Sequence, residues 1–300
     1  MNESGRAASR TAVLVCQGRA ATDGRAGAGR FADPVAARLL RGAERVPVDE
    51  VRAGTPPKDW RARMTYESVR ACAEVAVPRT VAIDEALRAR PTGQLVILGA
   101  GLDTRAWRLA ELARTDVWEV DHPASQRDKR ARLAEAAGPA PVARSVRFTP
   151  VDFAADDLGA ALAAAGHDAA APTTWLWEGV VPYLTRAEVR ATLATLAART
   201  APGSALVVNY QAPSVQAAAG RLLTRVLRSS VTAGEPWRSL WKPRQLAALL
   251  AEHGWSVTSD DSLLPLAESL GSPARGRASL RSGRVAVAET SPPRNQPPAH

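Results

Sequence analysis

The chain has 300 residues, 46% hydrophobic and 23% charged, enough to bury the core of one large domain or two small ones. No window approaches the roughly 18 uninterrupted apolar residues of a membrane-spanning helix, and residues 1–30 lack the apolar stretch of a secretory signal, so a cytoplasmic protein with no membrane partner is expected. Two cysteines (Cys16 and Cys72) and four histidines exclude a disulfide framework and structural zinc, and the net charge of +9 comes from arginines scattered singly, read as solvated surface with no nucleic-acid partner.

Residues 1–8 are small and polar and read as a disordered tail. Residues 9–90 are helical by pattern and form a cap ahead of the first strand. The run Gln94-Leu-Val-Ile-Leu98 is short, rich in β-formers and stopped by Gly99, as a buried parallel strand is. Val117-Trp-Glu-Val120 and Val146-Arg-Phe-Thr-Pro-Val151 are the next two strands, each followed by an aspartate, Asp121 and Asp152. Thr173-Thr-Trp-Leu-Trp177 is the fourth and Ala205-Leu-Val-Val208 the fifth. Between these two, Thr185-Arg-Ala-Glu188 is a capping box opening a helix with Val189, Leu193, Leu196 and Ala197 on one face, stopped by Pro202-Gly203.

Gln211 to Lys242 reads as a helical insertion in which Leu222, Leu223 and Leu227 recur at near-helical spacing, a lid to set beside the cap. Pro243 opens a helix expected to bury Leu246, Leu249, Leu250 and His253 before Gly254 ends it. Trp255–Ser259 and Arg284–Ala288 are the last strands, an antiparallel pair with no clear helix between them, only the Gly/Ser/Arg-rich stretch from Gly271 to Gly283. Residues 290–300, with four prolines, form a second tail. Strand alternating with helix implies a doubly wound parallel α/β sheet. Residues 9–289 make one domain, with 91–210 the ligand-binding core, 211–242 the lid and 243–289 the end of the sheet.

In such sheets ligands sit at the carboxyl ends of the strands. Gly99-Ala-Gly101 follows the first strand directly, where glycine lets a ligand approach the backbone. Asp121 stands about 20 residues on, where a carboxylate accepts both hydroxyls of a ribose. The third glycine of a dinucleotide fingerprint is Thr104 here, which argues against a dinucleotide, and an adenosine carrying an amino acid fits the same loop. Asp152 and Phe153 offer an acceptor for an adenine amine and an apolar neighbour for its ring.

Arg79-Thr80 with Asp84, Gln94-Leu-Val-Ile-Leu-Gly-Ala-Gly-Leu-Asp-Thr-Arg-Ala-Trp-Arg-Leu109, Trp118-Glu-Val-Asp121-His-Pro123 with Lys129, and Trp177-Glu-Gly-Val-Val-Pro-Tyr-Leu-Thr185 together resemble the leucine carboxyl methyltransferase family. That family includes bacterial S-adenosylmethionine-dependent O-methyltransferases of polyketide pathways. Ser9-Arg-Thr-Ala12 with Arg19-Ala20, Asp33-Pro34 and Gly234-Glu-Pro236 extend the resemblance over most of the chain. It implies a class I methyltransferase, Rossmann-like sheet of seven strands with the last antiparallel, and S-adenosyl-L-methionine as cofactor. By the same resemblance Arg79 pairs with the cofactor's methionine carboxylate, Gly99, Ala100 and Gly101 line its path, Asp121 holds the ribose, and Asp152 and Phe153 the adenine. Glu178 lies near the cofactor's amino group or the acceptor, and Glu178 and Tyr183 are the catalytic candidates. His122, where the family has an apolar residue, is given a local structural role, and Trp237 and Trp241 either cover the acceptor or pack the lid.

The expected reaction is transfer of the sulfonium methyl group to an oxygen, carboxylate or hydroxyl, of a small molecule such as a polyketide, with no metal. Two other readings stand beside it: a NAD(P)-dependent oxidoreductase, from the glycine turn and the acid after it, and a catalytically silent nucleoside-binding protein, since fold does not fix function.

Overall fold

Every residue of β1 (Gln94–Leu98) is buried, which a strand achieves only with cover on both faces of its sheet. Leu95 and Ile97 enter one hydrophobic cluster and Val96 and Leu98 the other, the period-two alternation of a strand. The computed structural model describes residues 9–27, 29–136, 139–213, 237–272, 275 and 277–290. In it β2 (Asp116–Asp121), β3 (Ser145–Pro150), β4 (Thr173–Trp177) and β5 (Ala205–Gln211) join β1 in one parallel array. β7 (Gly283–Thr290) lies antiparallel between β5 and β6 (Trp255–Ser262), giving the order β3-β2-β1-β4-β5-β7-β6. This is the seven-stranded arrangement that the family resemblance implies.

The helical cap covers one face. α1 (Arg10–Thr22), α2 (Ala36–Leu39), α3 (Val46–Ala53) and α4 (Trp60–Ala89) bring Cys16, Leu39, Val48, Val69 and Ile83 against Leu95, Ile97 and Leu176. α4 begins where the Asp59 carboxylate accepts the N–H groups of Arg61 and Ala62, at 3.0 and 2.9 Å. Pro78 lies inside it, one residue before Arg79. On the other face α7 (Leu158–Ala164), α8 (Arg186–Ala198) and α9 (Pro243–Glu252) pack leucines against Trp118, Trp175 and Trp177. The Thr185–Glu188 box is formed in both directions: Thr185 Oγ1 accepts the Glu188 N–H at 3.2 Å and Glu188 accepts the Thr185 N–H at 2.6 Å. α5 (Arg105–Arg108) follows β1 and α6 (Pro123–Glu135) follows β2.

The last fifty residues depart from expectation. α10 (Leu263–Ser269) and α11 (Arg277–Ser282) occupy the segment read as helix-free. Pro265 disguises α10, yet it falls in the first turn, where proline removes no helical hydrogen bond, and Leu263, Leu264 and Ala267 hold that helix to the core. β6 continues past Ser259 through a register shift after Val257. Its polar end is secured by Asp260, which accepts the Tyr210 hydroxyl at 2.6 Å and Arg284 Nε at 2.8 Å. His253 caps the end of α9 half-buried rather than inside the core, and Thr290 belongs to β7, its N–H donating to the Ser204 carbonyl at 3.1 Å. Residues 1–8, 214–236 with Leu222, Leu223 and Leu227, and 291–300 lie outside the described residues.

His167 sits edge-on to Trp118 with ring centroids 5.3 Å apart, and its Nε2 is 3.0 Å from Thr173 Oγ1. Burial, aided by the Arg199 cation, lowers its pKa to about 4. The unfolded imidazole protonates near 6.5, so between these values only the unfolded chain takes the proton. Stability from a neutral His167 is therefore complete above about pH 6.5 and declines as pH falls toward 4. The urea midpoint of the natural chain is expected to drop more across that window than the midpoint of His167→Gln.

Candidate active site

β1 and β4 are neighbours, yet the chain leaves β1 toward β2 on one side and β4 toward β5 on the other. The reversal opens a crevice at their carboxyl ends. Gly99 and Gly101 carry the backbone across it at φ +67° and +48°, left-handed values that a β-carbon disfavours. A β-carbon on Gly99 would fall on Val180 Cγ2, and one on Gly101 would lie 3.2 Å from the Ala12 methyl of α1. The space beside Gly101, reserved for a ligand on sequence grounds, is thus bordered by the protein's own first helix. The turn is tied over the end of β2: Gly99 and Ala100 donate to the Val120 carbonyl at 2.8 and 3.0 Å, and Gly101 to Asp121 Oδ2 at 2.5 Å.

The crevice holds a cavity of about 490 Å³. Arg79, Gly99, Ala100, Gly101, Asp121, Phe153, Glu178 and Tyr183 all line it. Asp152 does not. Its carboxylate is 44% exposed, accepts the Ala154 N–H at 3.0 Å and stands 4.0 Å from His122 Nε2, so it braces the turn after β3 instead of reaching inward. His122 opens α6, its Nδ1 accepting the Ala124 N–H at 3.2 Å. Trp241 is buried in the core, stacked under the Arg186 guanidinium at 4.2 Å, and takes no part in the cavity wall. Ala12, Val15 and Arg19 of α1, Asp103 and Arg238 also border the cavity. Arg238 is set there by hydrogen bonds from its own N–H and that of Ser239 to the Pro182 carbonyl, at 2.6 and 3.2 Å.

Of the three acidic residues that line the cavity, Asp121 and Glu178 are in different electrostatic states. Burial raises the pKa of Asp121, while N–H groups of Gly101 and His122 act the other way. Glu178, at the end of β4, receives Arg79 Nε on Oε1 and Arg105 Nη1 on Oε2, both at 2.7 Å. Burial works against its charge, but the guanidiniums of Arg105, Arg79 and Arg19 prevail and hold its pKa far below the carboxylate range. Glu178 is therefore a fixed anion and a poor proton acceptor, which removes acid–base work from the roles open to it.

Behind the wall the ion pairs continue. Arg105 Nε meets Asp84 at 2.7 Å and Nη1 meets Asp103. Asp84 takes Arg108 Nη1 at 2.7 Å, and Asp33 takes Arg19 Nε at 2.9 Å and the Thr104 hydroxyl at 2.7 Å. Thr104, at the place of a third glycine, thus serves to bind Asp33. Arg19 Nη2 also donates to the Leu102 carbonyl at 2.6 Å, joining α1 to the glycine turn. Below them Lys129 Nζ reaches Glu119 at 2.5 Å and the Asp103 carbonyl at 2.7 Å. Burial pushes Glu119 up to about 7 against the pull of Lys129. Arg19, Arg105 and Arg108 were expected on a solvated surface, and each is buried instead. Arg19, Asp103 and Arg238 had no assigned role from sequence; Arg19 and Asp103 lay within motifs whose other residues drew attention.

A family model described as leucine carboxyl methyltransferase matches residues 12–197. A protein of Mycolicibacterium paratuberculosis is 41% identical over 187 residues, 60% of this chain and 56% of the relative. One from Streptomyces coelicolor is 35% identical over 187 residues, 61% of this chain and 62% of the relative. Both carry the provisional name of S-adenosyl-L-methionine-dependent methyltransferase. The matches span little more than half the length of these relatives. The solved structure of a DUF574-family protein from Streptomyces avermitilis shares the fold, with a TM-score of 0.55 at 14% identity over 94% of this chain and 98% of that one.

The Gly99 geometry yields a test of the turn. Gly99→Ala is expected to destabilise the protein by at least about 1 kcal/mol from the left-handed backbone alone, with more from the Val180 overlap. In urea denaturation the double variant with Val180→Ala should lose less than the sum of the two single changes, because removing Val180 Cγ2 relieves the overlap that Gly99→Ala alone creates.

Proposed function

The chain belongs to the leucine carboxyl methyltransferase family, and on that premise we propose that it is an S-adenosyl-L-methionine-dependent methyltransferase acting on an oxygen, carboxylate or hydroxyl, of a small molecule such as a polyketide or another secondary metabolite. The observation that carries this reading is the fixed anion Glu178, held between Arg79 and Arg105 across the glycine turn from Asp121. Together these groups match a zwitterion joined to a ribose.

Glu178 takes the ammonium end of the cofactor's amino acid. Arg79 meets Glu178 through Nε, and its terminal nitrogens are the donors for the adjoining carboxylate. Asp121 spends one lone pair of each oxygen on a backbone N–H and keeps the others for the ribose hydroxyls, while Phe153 supplies an apolar wall for adenine. When bound, the cofactor supplies a methyl group already activated on sulfur, so the chain's part is to orient the two reactants and exclude water.

Ala12, Val15, Val180 and Tyr183 form one part of the apolar wall and enclose the acceptor. A carboxylate acceptor needs no base. For a hydroxyl acceptor Glu178 is too weak a base, which leaves Tyr183 as the residue to test. No metal is required, because Asp103 and Glu178 are committed to guanidiniums and Asp121 to backbone N–H groups.

Calorimetric titration with S-adenosylmethionine, S-adenosylhomocysteine and NADPH tests the cofactor, with binding of the first two and not the third expected. Asp121→Ala should weaken S-adenosylhomocysteine by roughly 10- to 150-fold, the loss of charge-assisted hydrogen bonds worth about 1.5–3 kcal/mol. Arg79→Lys should also weaken it, since an ammonium cannot reproduce the two-pronged contact. Methyl transfer from labelled cofactor to a panel of phenols and carboxylic acids, with and without EDTA, then tests the acceptor and the absence of a metal.

A further inference from the structure

Arg105 is 1% exposed and stands behind the cavity wall. Its Nη1 is shared between Asp103 and Glu178, its Nε is bound to Asp84, and Nη2 makes no hydrogen bond among the described residues. Of the three carboxylates it faces, Asp84 is also held by Arg108 and Asp103 lies in the turn. Glu178 lines the cavity and is shared with Arg79 on its other oxygen. The charged groups facing Glu178 are Arg79 from α4, Arg105 from α5, Arg19 from α1 and the acid Asp103 from the turn. Arg79 borders the cavity and has a second partner once a ligand carboxylate is present. Arg105 is not part of the cavity wall, so a ligand in the cavity does not compete with Glu178 for it.

We propose that Arg105 is a positioning residue for cofactor binding: from behind the wall it keeps Glu178 ionised and turned into the cavity, ready for the cofactor's ammonium group. This rests on the cofactor reading above. A carboxylate buried to this depth favours its neutral form unless a cation is fixed beside it. A lysine at 105 carries the charge but cannot span Asp84, Asp103 and Glu178 with a planar fork. The role predicts a pH signature that simple loosening of the fold would not produce.

The test measures S-adenosylhomocysteine affinity by calorimetry from pH 8 to pH 5 in the full chain, its Arg105→Lys variant, and an Arg105→Met/Asp103→Asn variant that keeps the buried charge in balance. Circular dichroism and thermal melting establish that each is folded. The ratio of variant Kd to natural Kd should rise as pH falls, approaching tenfold per pH unit in the methionine variant and less in the lysine variant. Glu119 and Asp121 titrate in all three proteins, and because Asp103 is among the charges that act on Glu119, the same variants carrying Glu178→Gln supply the baseline for their contribution. Adding Glu178→Gln to either variant should abolish the rise. A ratio that stays constant with pH in the folded variants overturns the role of Arg105, and the lysine variant alone decides it if the methionine variant does not fold. Absence of binding by the natural chain would instead overturn the cofactor reading itself.

Discussion

A row of alternating charges, Arg19, Asp33, Arg108, Asp84, Arg105, Glu178 and Arg79, runs through the interior beneath the crevice. Each of these groups would be costly to bury alone, and each has at least one opposite charge within 4.0 Å. The row begins on α1, crosses the loop before α2, passes between α5 and α4, reaches Glu178 just beyond β4 and ends at Arg79 on α4. It therefore fixes the helical cap against the sheet in a way that apolar contacts, which tolerate sliding, do not. The position of Glu178 follows from that framework.

The two faces of the sheet divide the work. On the face away from the cap, five tryptophans and the leucines of α7, α8 and α9 make an apolar core; there His167 is hydrogen-bonded to Thr173 and the Trp118 indole to the Ala165 carbonyl, while the indole N–H groups of Trp175, Trp177 and Trp255 find no partner among the described residues. The capped face carries the ion pairs close to the switch point. Charge is concentrated where the strands end and ligands enter, and the apolar core supports those strand ends from below.

Much of this was legible in the chain. β1 and β4 announce themselves as short runs rich in β-formers, and Gly99, Gly101 and Asp121 stand where a crevice at the strand ends requires them. The buried arginines were not legible, because Arg105 and an exposed arginine look alike in one sequence and differ only in three-dimensional neighbours. Burial of a cation is set by Asp33, Asp84 and Glu178, which lie far apart along the chain. Asp152 shows the converse: its place after β3 was legible, but not that one oxygen of its carboxylate accepts the Ala154 N–H of its own turn. α10 escaped notice because seven residues are too few to establish a helical period, and Pro265 masks them further.

The insertion of β7 between β5 and β6 has a consequence for the order in which the molecule is made. During synthesis β5 and β6 emerge first, each with an unsatisfied backbone edge, and neither is paired with the other. The strand that joins them by hydrogen bonds along both its sides arrives last. Until then the nascent chain presents two open β-edges, the state most prone to pairing with other chains. The polar residues of β6, Ser256, Thr258, Ser259, Asp260 and Asp261, make that strand a poor template for such pairing while it waits.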